Sequence, residues 1–220
     1  MDSLITTHPN INGVAIHAYD PMENTEYVTE CGLSGAPSAN IDRGEQGALP
    51  EDWFGHVANA FSNTPKADVE VSTSFNSVSR ELTARVKATF FSAATGDYRL
   101  AAIVTEDGVT GPAPQYNQNN IYSGGGHGSM GGFELLPGEI PANMIAYNHV
   151  GRTLLGGYNG MVGSVPSNVA AGDTVGYSIR ADRIGKLNGV APDKLPLSSA
   201  AKDATSLSFV NNSTTSFSTS

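Results

Sequence analysis

The chain has 220 residues, with 12 Lys+Arg against 21 Asp+Glu and a formal net charge of −9. No basic cluster is available to neutralise phosphates or an anionic bilayer, which argues against nucleic acid and membrane surfaces as partners. Only 15% of the residues are charged while 25 are Gly, a polar but weakly charged mix that suits an exported β protein of two unequal domains.

Residues 1–65 carry an α/β alternation. "NGVAIHAYD" (12–20) is an apolar run bounded by Asn-Gly and Asp-Pro and reads as a buried strand. "PMENTEYVTECGL" (21–33) has acids in its first turn and reads as a short helix. "APSANIDR" (36–43) is the second strand, and Pro37, which has no N–H to give a ladder, belongs at its start, on an edge or in a turn. "LPEDWFGHVANAF" (49–61) is a helix started by Pro50, with Trp53, Val57, Ala60 and Phe61 on one face. Strand, crossover helix and strand predict a parallel pair.

From Pro65 the period changes to two. "VEVSTSF", "LTARVKATFF" and "YRLAAIVTED" are strands of a meander joined by "NSVSRE" and "SAATGD", with Gly96-Asp97 as a hairpin turn. A Gly-rich insertion at 108–139 contains "GGGHGSMGG", which lacks the Lys-Ser/Thr of a phosphate loop and reads as a mobile loop. Strands resume at "MIAYNHVGRTLLGGYNGMVGSV" and "DTVGYSIRADR", so residues 66–190 read as an antiparallel sandwich. Residues 191–220 form a Ser/Thr-rich tail in which "SLSFV" alternates like a strand, with Leu207 and Phe209 on one face.

Cys31 is the only cysteine, so intrachain disulfides and Cys-rich metal sites are excluded, and a small core residue is the expected role. No apolar run approaches the ~18 residues of a membrane span, and Met1 opens no signal-like segment; an export signal is expected to have been removed or to lie upstream. His8, His17, His56, His127 and His149 show no i,i+3 or i,i+4 spacing, which removes helical metal motifs. His17 and Asp20 sit at the carboxyl end of the first predicted strand, where open α/β sheets build sites, although bonding to loop backbone is the plainer role. In "YNHVGR", Tyr147, His149 and Gly151 are expected on one strand face and Asn148, Val150 and Arg152 on the other, with structural hydrogen bonding again the plainer role. "TEDG" and "QYNQNN" offer oxygens for calcium but lack the Asp-x-Asp-x-Asp-Gly loop, so no cofactor is assigned.

Taken in order, "NGVAIHAYDPM", "GAPSANIDRG", "EDWFGHV", "IVTEDGVTG" and "YNHVGRTLLGGYNGMVGS" resemble successive blocks of the outer membrane protein twenty-eight family of Bacteroidetes, over residues 4 to 180. The resemblance implies a thioredoxin-like part followed by an immunoglobulin-like β-sandwich, on exported, often lipid-anchored proteins. It implies that Pro37 is the thioredoxin-type cis-proline, opening a strand inside a small mixed sheet. It also implies a Cys-x-x-Cys segment upstream of the region matching residues 4–14, so the expectation is a truncated scaffold without redox function. Asp2-Ser3-Leu4 and Asp173-Thr174-Val175 resemble the O-glycosylation sites of exported Bacteroidetes proteins. The expected function is therefore a non-enzymatic cell-surface or secreted structural or binding protein whose partner is itself, as a homo-oligomer or filament, or another surface protein, with C-terminal strand addition as the route of self-assembly. The alternative is a thioredoxin-like redox protein whose Cys-x-x-Cys lies elsewhere, or a metal-assisted enzyme.

Overall fold

A computed structural model describes residues 11–32, 35–43, 45–181 and 209–211. The protein is mixed α/β, with mostly antiparallel strands in small sheets and few helices. In chain order these are α1 (Thr25–Glu30), β1 (Ala39–Ile41), β2 (Glu45–Ala48), α2 (Trp53–Phe61), β3 (Ala67–Asn76) and β4 (Glu81–Phe90). There follow β5 (Ala94–Thr95), β6 (Tyr98–Leu100), β7 (Ala102–Glu106), β8 (Gln118–Asn119), β9 (Glu139–Ile140), β10 (Val150–Leu155), β11 (Asn168–Val169), β12 (Thr174–Ala181) and β13 (Phe209–Asn211).

The period-two segments form the longest ladders. β4 is the centre of a three-stranded antiparallel sheet in the order β12-β4-β3, in continuous register from Ala67↔Phe90 to Asn76↔Glu81 and from Thr174↔Thr89 to Ala181↔Leu82. The β3–β4 turn is locked by Asn76, whose side-chain oxygen accepts from the Val78 and Ser79 N–H groups. Along β4 Leu82, Ala84, Val86, Ala88 and Phe90 are all buried, as the alternation requires. They join Val69, Tyr98, Leu100, Ala102, Val104, Leu155, Val165, Val169 and Ile179 in one apolar cluster, so the three-stranded sheet shares its core with β6, β7 and β10. Phe90 meets Tyr98 edge-on at 6.0 Å within it.

Two predicted features of this region differ. The apolar run 98–107 is split at Ala101 into β6 and β7, because β7 pairs with β10 while Leu100 bridges to Met161. Gly96-Asp97 is a corner, not a hairpin turn: β5 pairs with β11, and the chain leaves that pair at Gly96 to enter β6.

The expected parallel pair of residues 12–20 and 36–43 is not formed. Segment 12–20 makes one parallel bridge, Ala15↔Val150, against β10, while β1 folds back antiparallel onto β2 through Asp42 and Arg43, both left-handed (φ 52° and 53°). Both segments find other partners: the Ala15 N–H and carbonyl bond to His149 and Gly151, and β1 is turned onto β2 by the two left-handed residues. The Ala36-Pro37 bond is cis, but the strand after it starts at Ala39 and lies in a two-stranded hairpin, so Pro37 does not open a strand inside a mixed sheet.

α2 lies where predicted, preceded by a 3-10 turn at Pro50–Asp52. Val57 is its buried contact, Trp53 donates from Nε1 to the Ala48 carbonyl, and Phe61 is exposed rather than on the covered face.

The core makes a direct demand on β4. Phe90→Ala is expected to cost about 3–5 kcal/mol, whereas Val78→Ala at the exposed tip of the β3–β4 turn should stay within about 0.5 kcal/mol of wild type; urea unfolding followed by circular dichroism measures both.

Candidate functional site

The chemistry-bearing side chains gather where the N-terminal segment crosses β10. β10 is irregular there for two reasons. His149 is left-handed (φ 57°), and between Gly151↔Thr105 and Thr153↔Val104 the β10 strand carries one extra residue, Arg152. The bulge and the His149 turn break the two-face alternation expected for 147–152. Tyr147, Val150, Gly151 and Arg152 are all buried, and Tyr147 shares an apolar cluster with Val150, Met22, Val109 and Tyr116.

Segment 14–16 seats on this irregular edge. The Ala15 N–H donates to the His149 carbonyl (2.7 Å) and the Gly151 N–H to the Ala15 carbonyl (2.9 Å). Gly151 is required by the approach: a Cβ there would meet Ile16 Cδ1 and Val14 Cγ1 at 2.9 Å and Ile103 Cδ1 at 3.2 Å.

Each candidate polar group is then committed to holding a loop. His17 Nδ1 stands 2.7 Å from Asp20 Oδ2, which gives the donor role to Nδ1 when the carboxylate is ionised, and the other Asp20 oxygen accepts from the Met22 N–H. The His17 ring sits edge-on to Tyr147 at 5.1 Å, and the Tyr147 hydroxyl donates to the Tyr116 carbonyl at 2.8 Å. Burial raises the Tyr147 phenol above its usual range, and the Asp20 charge adds to the rise. Asp107 accepts from the His149 backbone N–H at 2.6 Å, and the His149 ring lies 3.6 Å from the same carboxylate oxygen.

Arg152 is the most deeply placed charge among the described residues. Its side chain is 2% exposed, and its Nε lies 3.0 Å from Glu106 Oε2, close enough to pair charges but out of line for a hydrogen bond. Its backbone carbonyl accepts from the Asn24 side chain, which also caps α1 by accepting from the Tyr27 N–H. A second clasp lies beyond β10. Glu26 accepts from the Tyr158 N–H, Tyr27 meets Tyr158 edge-on at 5.2 Å, and the Arg43 guanidinium covers the Tyr158 ring at 4.2 Å. Burial raises both phenols, with the Arg43 charge opposing.

The remaining predicted residues lie apart. Cys31 is 1% exposed and ends α1, its thiol directed to the Val28 carbonyl at 3.6 Å. His56 is on α2, and His127 sits edge-on to Tyr122 in the insertion. Thr174 is exposed and shares a hydrogen bond with Thr89 at 3.0 Å. Ser3, His8 and Leu207 lie outside the described residues, whereas Phe209 stands in β13, paired antiparallel with β6. Several of the oxygens offered for calcium are engaged within the protein. Glu106 faces Arg152, Asp107 holds His149, Asn117 accepts from the Ala142 N–H, and Asn120 accepts from the Tyr122 N–H. Among the described residues no group of three or more His, Cys, Asp or Glu is arranged to hold a metal ion.

The insertion is the connection between the paired strands β7 and β10, closed at its base by the Val109↔Tyr147 bridge and by β8–β9. Sequence reasoning missed its two organisers. Asn120, 5% exposed, donates to the Phe133 and Pro137 carbonyls, and Glu134 accepts from the Met130 and Gly132 N–H groups. The available signal was an Asn and a Glu flanking a glycine run, each able to bond nearby backbone.

Two consequences can be measured. Arg152→Leu leaves the partly buried Glu106 carboxylate unpaired and is expected to cost about 3 kcal/mol, most of it recovered when Glu106→Leu is added; a double-mutant cycle in urea reads the coupling. The Glu134 carboxyl is held below its ordinary 4.5, first by its own backbone N–H and then by that of Met130, with burial opposing. Its folded value lies below its unfolded one, so its contribution is present above the unfolded value and lost as pH falls through the folded one. Hydrogen exchange at Met130 and Gly132 is expected to lose protection in that acid window, and Glu134→Gln to abolish the pH dependence.

Compared with family models, curated proteins and solved structures, the chain matches none.

Proposed function

We propose that the chain is an exported, non-enzymatic protein of the cell surface or outer membrane that acts by binding and assembly, joined through C-terminal strand addition. The observation that supports it best is β13: a segment separated from β12 by residues 182–208 adds as an antiparallel strand to β6, with Val210 opposite Arg99. A strand that joins an edge through so long a connection can also be given to a second copy, at concentrations that compete with its own tether.

The chemistry of the candidate site supports a structural role for its residues. Tyr147, His149, Arg152, His17 and Asp20 are each spent on fastening a loop or the N-terminal segment. Cys31 is buried and follows the helix instead of preceding its N-terminus, where a thiolate would be favoured. Within this reading the shared core of β3, β4 and β12 with β6, β7 and β10 supports an immunoglobulin-like sandwich. The likeness to the outer membrane protein twenty-eight family rests on the sequence blocks, and the β1–β2 hairpin weighs against its thioredoxin-like part. Thr174, exposed on the polar face of β12, is the glycan acceptor in this reading.

Light scattering over a concentration series into the millimolar range tests assembly, after intact-mass spectrometry of protein from its native source has counted any glycan. The weight-average mass of the intact chain is expected to rise with concentration, and that of a chain lacking residues 204–220 to stay monomeric. The described members of the main apolar cluster all lie between Ala67 and Ile179, so the deletion spares them. Equal, monomeric masses throughout would remove the reading.

A further inference from the structure

Resting on the assembly reading, we infer that the edge of β6 at Arg99 is the acceptor site for Phe209–Asn211 of a second copy, in competition with the chain's own tail. The two edges of β6 have different occupants. On one side the Leu100 N–H donates to Ser164 Oγ at 2.7 Å, and the Leu100 carbonyl accepts from the Met161 N–H at 2.9 Å. Gly160 brings that loop so close that a Cβ would meet Arg99 Cβ at 2.8 Å. Successive residues of a strand point their N–H and C=O groups to opposite edges, so with Leu100 engaged by the 161–164 loop, Arg99 offers its pair to the other edge.

β13 occupies that edge. In its register Phe209 stands opposite Leu100, Val210 opposite Arg99 and Asn211 opposite Tyr98. The hydrogen-bonded pair is therefore Val210–Arg99, with Phe209–Leu100 and Asn211–Tyr98 as the flanking pairs that exchange no N–H···O bonds. Recognition of this kind is carried by main chain, so the same three residues of a neighbouring copy present the same donor and acceptor at the same register. The connection 182–208 reaches up to ~90 Å when extended, enough for either origin of the strand.

The acceptor is tested on the full-length chain carrying Val210→Pro, which removes the N–H that its own tail gives to Arg99 and so vacates the edge without touching β6. The probe is a fluorescent synthetic peptide of residues 204–220, read by anisotropy. Saturable binding to the Val210→Pro chain is expected. Binding should fall at least ~10-fold when the peptide itself carries Val210→Pro, a change that cannot unfold the receptor. A tethered tail has an effective concentration of ~1 mM, so for a peptide dissociation constant near ~0.1 mM the wild-type chain should bind about tenfold more weakly than the vacated one. Absence of saturable binding, equal binding of the two peptides, or equal affinity of the two chains would each overturn the acceptor edge. The assembly reading fails separately. Peptide binding with a concentration-independent mass supports the edge and removes assembly, whereas a tail-dependent rise in mass without peptide binding overturns the edge alone.

Discussion

The irregularity of β10 between His149 and Thr153 is the constraint on which the arrangement of the molecule depends. A regular strand there would direct Tyr147, His149 and Gly151 to one side and Val150 and Arg152 to the other. The left-handed His149 and the extra residue Arg152 instead bury Tyr147, Val150, Gly151 and Arg152 together. The bare backbone at Gly151 lets Val14 and Ile16 come to the strand. From that contact follow the seat of the N-terminal segment, the covering of Ile103, and the depth at which Arg152 must find Glu106. The left-handed backbone at a non-glycine residue is uncommon, though histidine is among the residues enriched there. The Asp107 carboxylate bonded to the His149 N–H holds it.

The same edge explains why so many polar side chains gather beside it. A chain that crosses a strand with a single bridge leaves turns on either side whose N–H groups need partners. Asp20 supplies one to Met22, Glu26 one to Tyr158, Asp107 one to His149 and Asn24 one to Tyr27. Carboxylates and carboxamides serve this purpose because each can accept from a backbone N–H while another atom reaches elsewhere, as Asn24 does toward the Arg152 carbonyl. The Tyr27–Tyr158–Arg43 clasp adds apolar contact at low entropy cost, since the phenol rings turn on few bonds.

Legibility in the sequence follows the range of the interaction that decides each element. β3, β4 and β12 were readable because their period-two pattern is imposed by one buried face, and α2 because Pro50 and its apolar stripe are local. Segment 12–20 was misleading. Its apolar run is as suitable for one bridge on a distant strand as for a full strand, and the choice is made by β10, where His149 and Gly151 take the Ala15 backbone groups. The bulge at Arg152 was invisible because it is fixed by the register with β7, 45 or more residues away in sequence, as the Gly151↔Thr105 pair shows. In the insertion the glycines suggested mobility, and their left-handed backbone at Gly124, Gly125, Gly128, Gly131 and Gly132 does supply the turns. What pattern alone did not reveal was that Asn120 and Glu134 take up the backbone groups those turns expose.

Edge management closes the account of the β region. An uncovered strand edge is a template for unwanted pairing, and the described sheets protect theirs in different ways. The edge strands β12 and β3 carry polar and charged side chains, Ser178 and Thr174 of β12 bonded to Arg85 and Thr89 of β4, and Glu70 of β3 paired with Lys87. β6 is covered on one side by a loop and on the other by β13. These two covers differ in strength. The loop is fastened by the bonds of Leu100 and by the close approach of Gly160, and it is continuous with β10 through Leu155 and Gly156. β13 is held by one hydrogen-bonded residue pair, worth about 1–3 kcal/mol net for its two bonds, a margin of the order of thermal exchange. Under the proposed assembly such a strand would protect the edge for most of the time and yield it to an identical strand when the local concentration of copies approaches that of the tether. On that proposal, protection of the monomer and association of copies are two states of one pairing, selected by the concentration of copies.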